Sequence, residues 1–365
     1  MTFSASDHAL MAQALRLAEQ GIYTATPNPR VGCVIAKDGA IVGQGAHLKA
    51  GEPHAEVHSL RAAGDKAKGA TAYVTLEPCS HHGRTPPCAD ALVQAGVTKV
   101  IAAIRDPNPL VAGQGLARLA GQGIETLVGL MQAQAEDLNK GFIARMTRQM
   151  PYVRSKIACS LDGKTALNNG QSQWITSEAA RRDVQHWRAQ SCAMLTGIGT
   201  VLADNPRLTV RDFDIGRQPL RVVVDSRLQI PLDAAILQGG NVLIVCALED
   251  VHKTAALTQL GVQVICLPDG AGKVCLKSLL RHLARNEINE VMVEGGAGLN
   301  GALLQQKLID ELLTYQAPIL LGHQAQGMID FPALTDMQHK LQLQILETRQ
   351  VGIDTRIRAI PRYTD

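Results

Sequence analysis

Four residues that could do chemistry together fall within one short stretch. Pro53-His54-Ala55-Glu56 is followed, 25 residues after the histidine, by Pro78-Cys79 and then by Pro87-Cys88. One neutral imidazole and two thiolates balance the charge of Zn²⁺ and leave the fourth tetrahedral position to water, the donor set of a catalytic rather than a closed site. A closed structural site would take a fourth protein ligand. His81 and His82 lie near enough in sequence to supply one, but that reading leaves Glu56 without a role. Zinc lowers the pKa of its water to about 7, and a carboxylate beside that water can take a proton and hand it to a leaving nitrogen. In this pattern Glu56 is an acid/base and not a ligand, and the chemistry is hydrolytic deamination of an amidine-like ring carbon.

A second constellation lies near the other end. Glu290 to Glu294 reads as a strand that runs into Gly295-Gly296-Ala297-Gly298-Leu299-Asn300-Gly301 and then a helix from Ala302. Gly296, Gly298 and Gly301 match G-x-G-x-x-G in a strand-to-helix setting, where backbone N–H groups and the helix dipole can hold a phosphate. A dinucleotide site of the Rossmann type also places an acid about 20 residues further on to hold a ribose hydroxyl. The positions there are Ile319-Leu320-Leu321-Gly322, so the loop is either a phosphate cradle of another kind or a tight turn.

Eight residues, Ser-His-His-Gly-Arg-Thr-Pro-Pro, separate Cys79 from Cys88, where base deaminases usually have two. That widened segment, with Thr26-Pro27-Asn28-Pro29-Arg30-Val31-Gly32 before it, resembles the deaminase half of the bifunctional riboflavin-biosynthesis deaminase/reductase family. Lys156 to Lys164, Ser172-Gln173-Trp174-Ile175-Thr176 and Thr200 to Arg211 are similar to the reductase half of the same family. The resemblance spans nearly the whole chain. It implies a cytidine-deaminase-like α/β/α domain followed by a dihydrofolate-reductase-like α/β domain, with one Zn²⁺ and NADPH as cofactors. By the same resemblance His54, Cys79 and Cys88 hold zinc, Glu56 moves the proton, and Asn28 helps bind the pyrimidine. Ala158, Trp174, Thr200, Asp204, Ser226, Gly296, Ala297, Gly298, Leu299 and Asn300 would line the dinucleotide. Ser172, Arg188, Leu208, Arg211 and Glu294 would face the substrate, and Lys156 is a candidate polar group near the hydride acceptor. The implied reactions are deamination of 2,5-diamino-6-(5-phosphoribosylamino)pyrimidin-4(3H)-one and then reduction of its ribosyl group to ribityl. Cationic forks and hydroxyls such as Arg188, Arg211 and Ser172 suit a sugar phosphate.

The elements that must position these groups follow an α/β rhythm. Asp7 can cap a first helix that ends at Gly21, and Asp38-Gly39 joins two strands as a hairpin. Helices from about His54, after Pro87 and near Leu116 alternate with strands at 70–76, 99–104 and near Leu127, which predicts a largely parallel sheet with helices on both faces. A helix over about 131–146 closes a first domain of residues 1–150. Residues 151–365 form a second α/β domain with strands at 152–159, 194–197, 220–225, 242–246, 262–267 and 290–294, and with an antiparallel pair around 341–346 and 355–360.

Length and composition fit this division. At 365 residues the chain favours two domains. The net charge is +3, divided as +2 and +1 about residue 150, so neither half carries a basic footprint. Only 2 Trp, 5 Tyr and 4 Phe are available to stack on bases. Nucleic acid and anionic membrane are therefore excluded as main partners. A base deaminase with an added nucleic-acid-binding domain, or a zinc-stabilised scaffold, accounts for less of the pattern; a scaffold needs no Glu56. No signal peptide or spanning segment is evident, so a cytoplasmic protein is expected, and Cys33, Cys159, Cys192, Cys246, Cys266 and Cys275 read as core thiols. Homo-oligomerisation is left open.

Overall fold

The computed structural model describes residues 2–80, 87–109 and 111–363. The chain divides into two compact units, 1–149 and 150–365. The first contains α1 (Ala5–Glu19), β1 (Gly32–Lys37), β2 (Ala40–Ala46), α2 (Ala55–Ala63), β3 (Thr71–Val74), α3 (Cys88–Gln94), β4 (Lys99–Ala102), α4 (Gln114–Gly121), β5 (Glu125–Val128) and α5 (Gln132–Arg148). Its sheet has the order β2-β1-β3-β4-β5.

The parallel expectation holds for only part of this sheet. β3, β4 and β5 run parallel, whereas β1 is antiparallel to both β2 and β3. The hairpin at Asp38-Gly39 reverses the chain, and the return from β2 passes through α2 before β3 pairs with β1. Two helices seat against opposite faces of the first strands because side chains are missing there. A Cβ on Gly43 would lie 2.2 Å from the Ser59 carbonyl oxygen of α2, and one on Gly32 would lie 1.9 Å from the Ala14 oxygen of α1. The N-terminus of α1 is fixed by a capping box, in which Ser4 Oγ accepts from Asp7 N–H and the Asp7 carboxylate accepts from Ser4 N–H.

The second unit contains β6 (Tyr152–Ser160), β7 (Lys164–Ala166), α6 (Glu178–Gln190), β8 (Ala193–Gly197), α7 (Ile198–Asp204), β9 (Leu220–Val224), β10 (Val242–Cys246), α8 (Val251–Gln259), β11 (Gln263–Cys266), α9 (Leu276–Arg285), β12 (Glu290–Val293), α10 (Ala297–Gln305), β13 (Glu311–Ala317), β14 (Gln326–Gly327), β15 (Gln342–Val351) and β16 (Asp354–Arg362). A nine-stranded sheet has the order β11-β10-β9-β8-β12-β6-β13-β16-β15. From β11 to β13 every neighbouring pair is parallel. The expected antiparallel tail pair, β15 and β16, forms its far edge. β13, which no sequence signal marks, joins that pair to the parallel part.

The core thiols are a mixed outcome. Cys33, Cys159, Cys192 and Cys246 are buried, whereas Cys266 and Cys275 are only partly so, and none is in a disulfide. Among the described residues no helix is long and apolar enough to cross a membrane.

Candidate functional site

In the first unit the zinc-ligand candidates converge on two helix N-termini. His54 is the N-cap residue of α2 and Cys88 opens α3, while Cys79 lies in the segment after β3. Helix N-termini favour negative charge and so suit thiolates. His54 Nδ1 is 3.7 Å from Cys79 Sγ and 3.3 Å from Cys88 Sγ, and Cys88 N–H donates to Cys79 Sγ at 3.3 Å. The three ligand atoms all lie within 4.8 Å of one another. Ligands held about 2.0–2.3 Å from one tetrahedral ion have this spacing, so the residues fit zinc. The Cys79 thiol is pulled down by its hydrogen bond with Cys88 and by His54, and the Cys88 thiol is pushed up in return. His81 and His82, the alternative ligands, lie outside the described residues.

Glu56 sits in the first turn of α2 and is 3% exposed. Its Oε2 is buried without a hydrogen-bond partner among the described residues. Burial pushes its carboxyl up to about 7, an effect that the nearby His54 only partly offsets. A buried carboxylate with one oxygen free, beside three candidate metal ligands, could carry a proton.

Three groups outside the sequence motifs position this cluster. His47, buried in the loop after β2, packs edge-on against His54 with ring centroids 5.2 Å apart. Its Nδ1 is 3.2 Å from the Pro53 oxygen and its Nε2 is 3.1 Å from Asn28 Nδ2. Glu77 accepts from the N–H groups of Asp106, Gly113, Gly115 and Leu116 at 2.9–3.2 Å, which ties the Cys79 segment to the start of α4. Position 115 must be glycine for this approach, because a Cβ there would be 1.9 Å from the Pro78 oxygen. Asn139 brackets Arg30 by accepting from its N–H and donating to its oxygen, at 2.8 and 2.9 Å, and so fixes the loop that carries Asn28. Only Glu77 had a sequence signal, its place directly before Pro78-Cys79.

In the second unit the named residues cluster at the C-terminal ends of β6, β8, β9 and β12. Glu294 follows β12 and receives Arg188 Nε and Nη2 at 2.6 and 3.0 Å, with Lys156 Nζ at 3.6 Å. Burial would raise the Glu294 carboxyl, but Arg188 and Lys156 overcome it and hold it at about 2. Arg188 also donates Nη1 to the Thr209 oxygen at 3.2 Å. Three of its five N–H donors are thus taken by protein groups. Arg211 is exposed, and its backbone N–H is held by Gln185 at 3.2 Å. Leu208 is buried with φ of +51° and turns the chain between Arg207 and Thr209.

The dinucleotide candidates sort into two kinds. α10 begins at Ala297 with Gly296 as N-cap and no side-chain cap, which leaves its first N–H groups available to an anion. A Cβ on Gly296 would lie 4.0 Å from Thr200 Oγ1, so α7 and the glycine loop stand side by side. Ser172 donates to Asp204 at 2.9 Å, Trp174 is 69% exposed with Arg181 4.4 Å from its ring centre, and Ala158 lies on β6. Ser226 accepts from Val274 N–H at 3.2 Å. Asn300 differs: it is buried, accepts from Ser155 Oγ at 2.8 Å and donates to the Gly295 oxygen at 3.1 Å, so its side chain braces the turn.

Comparison with known proteins agrees with both halves. Residues 4–104 match the cytidine and deoxycytidylate deaminase zinc-binding region, and residues 151–357 match the RibD C-terminal domain. The riboflavin biosynthesis protein RibD of Escherichia coli (strain K12) is 50% identical over 361 residues, covering 95% of this chain and 97% of that one. Its counterpart in Haemophilus influenzae is 47% identical over 375 residues, 99% of each. Among solved structures, Acinetobacter baumannii RibD (form 1) superposes with a TM-score of 0.92 at 48% identity, over 98% of this chain and 99% of that one. A diaminohydroxyphosphoribosylaminopyrimidine deaminase/5-amino-6-(5-phosphoribosylamino)uracil reductase from Thermotoga maritima does so at 0.87 and 32%, with the same coverage. Fold and sites together define a bifunctional zinc deaminase and reductase. The chain belongs to the RibD family; it is a deaminase and a reductase of riboflavin biosynthesis, and its cofactors are zinc and NADPH.

Proposed function

We propose that residues 1–149 hydrolytically deaminate 2,5-diamino-6-(5-phosphoribosylamino)pyrimidin-4(3H)-one, and that residues 150–365 reduce the ribosyl group of the product to ribityl. The observation that carries the first assignment is the convergence of His54, Cys79 and Cys88 around a buried carboxylate with a free oxygen. His54, Cys79 and Cys88 would hold the zinc, which when bound makes water nucleophilic near neutral pH. Glu56 Oε2 takes a proton from the attacking water and passes it to the departing amino nitrogen. Asn28, steadied through Nδ2 by His47, has its Oδ1 to accept from a pyrimidine N–H.

In the second unit the glycine loop at 296–300, with Thr200, would hold the dinucleotide, and NADPH supplies the hydride. Ala158, Trp174, Asp204 and Ser226 complete that side. Arg211 and Ser172 would take the sugar phosphate, and Leu208 shapes the pocket beside them. Arg188 fixes Glu294, and Glu294 with Lys156 forms the polar end of the pocket, with Lys156 our candidate for the group that hydrogen-bonds the reacting ribosyl end. The small phosphorylated pyrimidine is the only substrate this reading needs. Eight cysteines without a disulfide support work in a reducing compartment, the cytoplasm.

Purified protein loaded with zinc should release ammonia from the diaminopyrimidine phosphate and then oxidise NADPH. Oxidation of NADPH by the diaminopyrimidine without ammonia release would reverse the proposed order. Absence of ammonia release would remove the deaminase assignment.

A further inference from the structure

Two successive peptide groups after α7 are held entirely by side chains. Leu208 to Arg211 belongs to no helix or strand. The Thr209 oxygen accepts from Arg188 Nη1 at 3.2 Å, and Val210 N–H donates to Gln218 Oε1 at 2.8 Å. Gln218 Nε2 donates to the Val210 oxygen at 3.0 Å, and Arg211 N–H donates to Gln185 Oε1 at 3.2 Å. Both polar groups of the peptides 209–210 and 210–211 are thus paired without a neighbouring strand. The supports are themselves anchored. Gln185 is buried on α6, one turn before Arg188. Arg217, beside Gln218, donates Nη1 and Nη2 to the Ser191 and Ala189 oxygens at the end of α6, at 3.0 and 2.7 Å. Asn241 Nδ2 donates to the Gln218 oxygen at 3.2 Å.

The clamped backbone carries an open side chain. Leu208 and Val210 are buried, whereas the Arg211 side chain is exposed and makes no hydrogen bond or ion pair among the described residues. The same Arg188 that holds the Thr209 oxygen pairs with Glu294, so the segment is registered against the polar end of the pocket. A loop that must order its backbone on binding loses affinity through conformational entropy. With these two peptides already fixed, an anion meeting Arg211 has only side-chain rotamers to order.

We propose that Gln185 and Gln218 are positioning residues for the substrate: they preorganise the 209–211 backbone, and Arg211 with it, for the sugar phosphate. The inference rests on the reading of Arg211 as a phosphate ligand. Neither glutamine has to touch the substrate in this scheme, so their loss should act on substrate capture and not on hydride transfer.

Steady-state reduction of the deaminated phosphorylated pyrimidine by the full chain tests it. Gln218→Leu and Gln185→Leu should each raise KM for this substrate by roughly 5-fold to 10-fold, with kcat and KM for NADPH within about 2-fold of wild type. Gln218 is exposed, so Gln218→Leu carries the test alone if Gln185→Leu does not fold. In an Arg211→Ala background Gln218→Leu should change KM by less than about 2-fold, because the guanidinium it serves is gone. An unchanged KM in Gln218→Leu, a fall in kcat as large as the rise in KM, or an equal rise in the Arg211→Ala background overturns the positioning role. Arg211→Ala by itself separates the two levels. If it raises KM for the substrate while Gln218→Leu does not, the positioning role fails and the phosphate reading stands. If Arg211→Ala leaves that KM unchanged, the phosphate reading falls and the positioning role with it.

Discussion

Two buried carboxylates, one in each unit, sit in opposite electrical settings. Glu56 has a buried oxygen with no partner, and burial lifts its carboxyl to about 7. Glu294 is also largely buried, yet Arg188 and Lys156 close on both of its oxygens and hold it at about 2. Desolvation raises both groups, and at Glu294 the charges and hydrogen bonds of Arg188 and Lys156 outweigh it. A group proposed to gain and lose a proton is left with one oxygen free. A group that must remain an anion to organise two cations has both occupied.

The largest effect expected from breaking this contrast is at the candidate metal cluster beside Glu56. Cys88→Ala should drop zinc from one per chain to a small fraction and take deamination to background, as read by elemental analysis and ammonia release. Full zinc occupancy in that variant would move the third ligand elsewhere in the 80–87 segment.

Next in size is the ion pair itself. Arg188→Ala leaves the Glu294 carboxylate with Lys156 as its one cation among the described residues and should destabilise the second unit by roughly 3 kcal/mol. The 2 tryptophans of the chain, Trp174 and Trp187, both belong to that unit, so tryptophan fluorescence in urea reports it selectively. A loss below about 0.5 kcal/mol would mean that the pair is solvated like a surface bridge.

The same substitution at the two carboxylates should then act on different properties. Glu56→Gln keeps the volume and removes only the proton carrier, so zinc should stay and deamination should fall by roughly 10² or more, with no loss of stability. Glu294→Gln leaves Arg188 and Lys156 without their anion and should lower the stability of the second unit. Stability lost at Glu56 and unchanged at Glu294 would invert the comparison.

The smallest effect is on pH dependence. Glu294 has a folded pKa of about 2, below its ordinary value of 4.5, so its contribution is complete above about 4.5 and is lost as pH falls toward 2. Over the first unit of pH below 4.5 the wild type should therefore lose up to roughly 1 kcal/mol more than Glu294→Gln. Parallel stability curves for the two proteins would show that Glu294 is not held as an anion.

The amino-acid sequence by itself singled out His54, Glu56, Cys79 and Cys88 as one candidate group, because their types and short spacings are local signals and two of them open helices. It also determined the α/β rhythm, the seam near residue 150 and the hairpin at Asp38-Gly39, since apolar periodicity and turn residues are local signals. Tertiary structure alone decided which way β1 runs between its neighbours, because strand direction depends on connections that no single segment encodes. It alone brought His47 to His54, Asn139 to Arg30 across 109 residues and Arg188 to Glu294 across 106. Those contacts join residues that, read singly, look like ordinary polar or charged positions. It also showed that Asn300 braces a turn with its side chain. The physical reason is the same throughout: chain proximity fixes local geometry, whereas the charge state of a buried group is set by whatever the fold places around it.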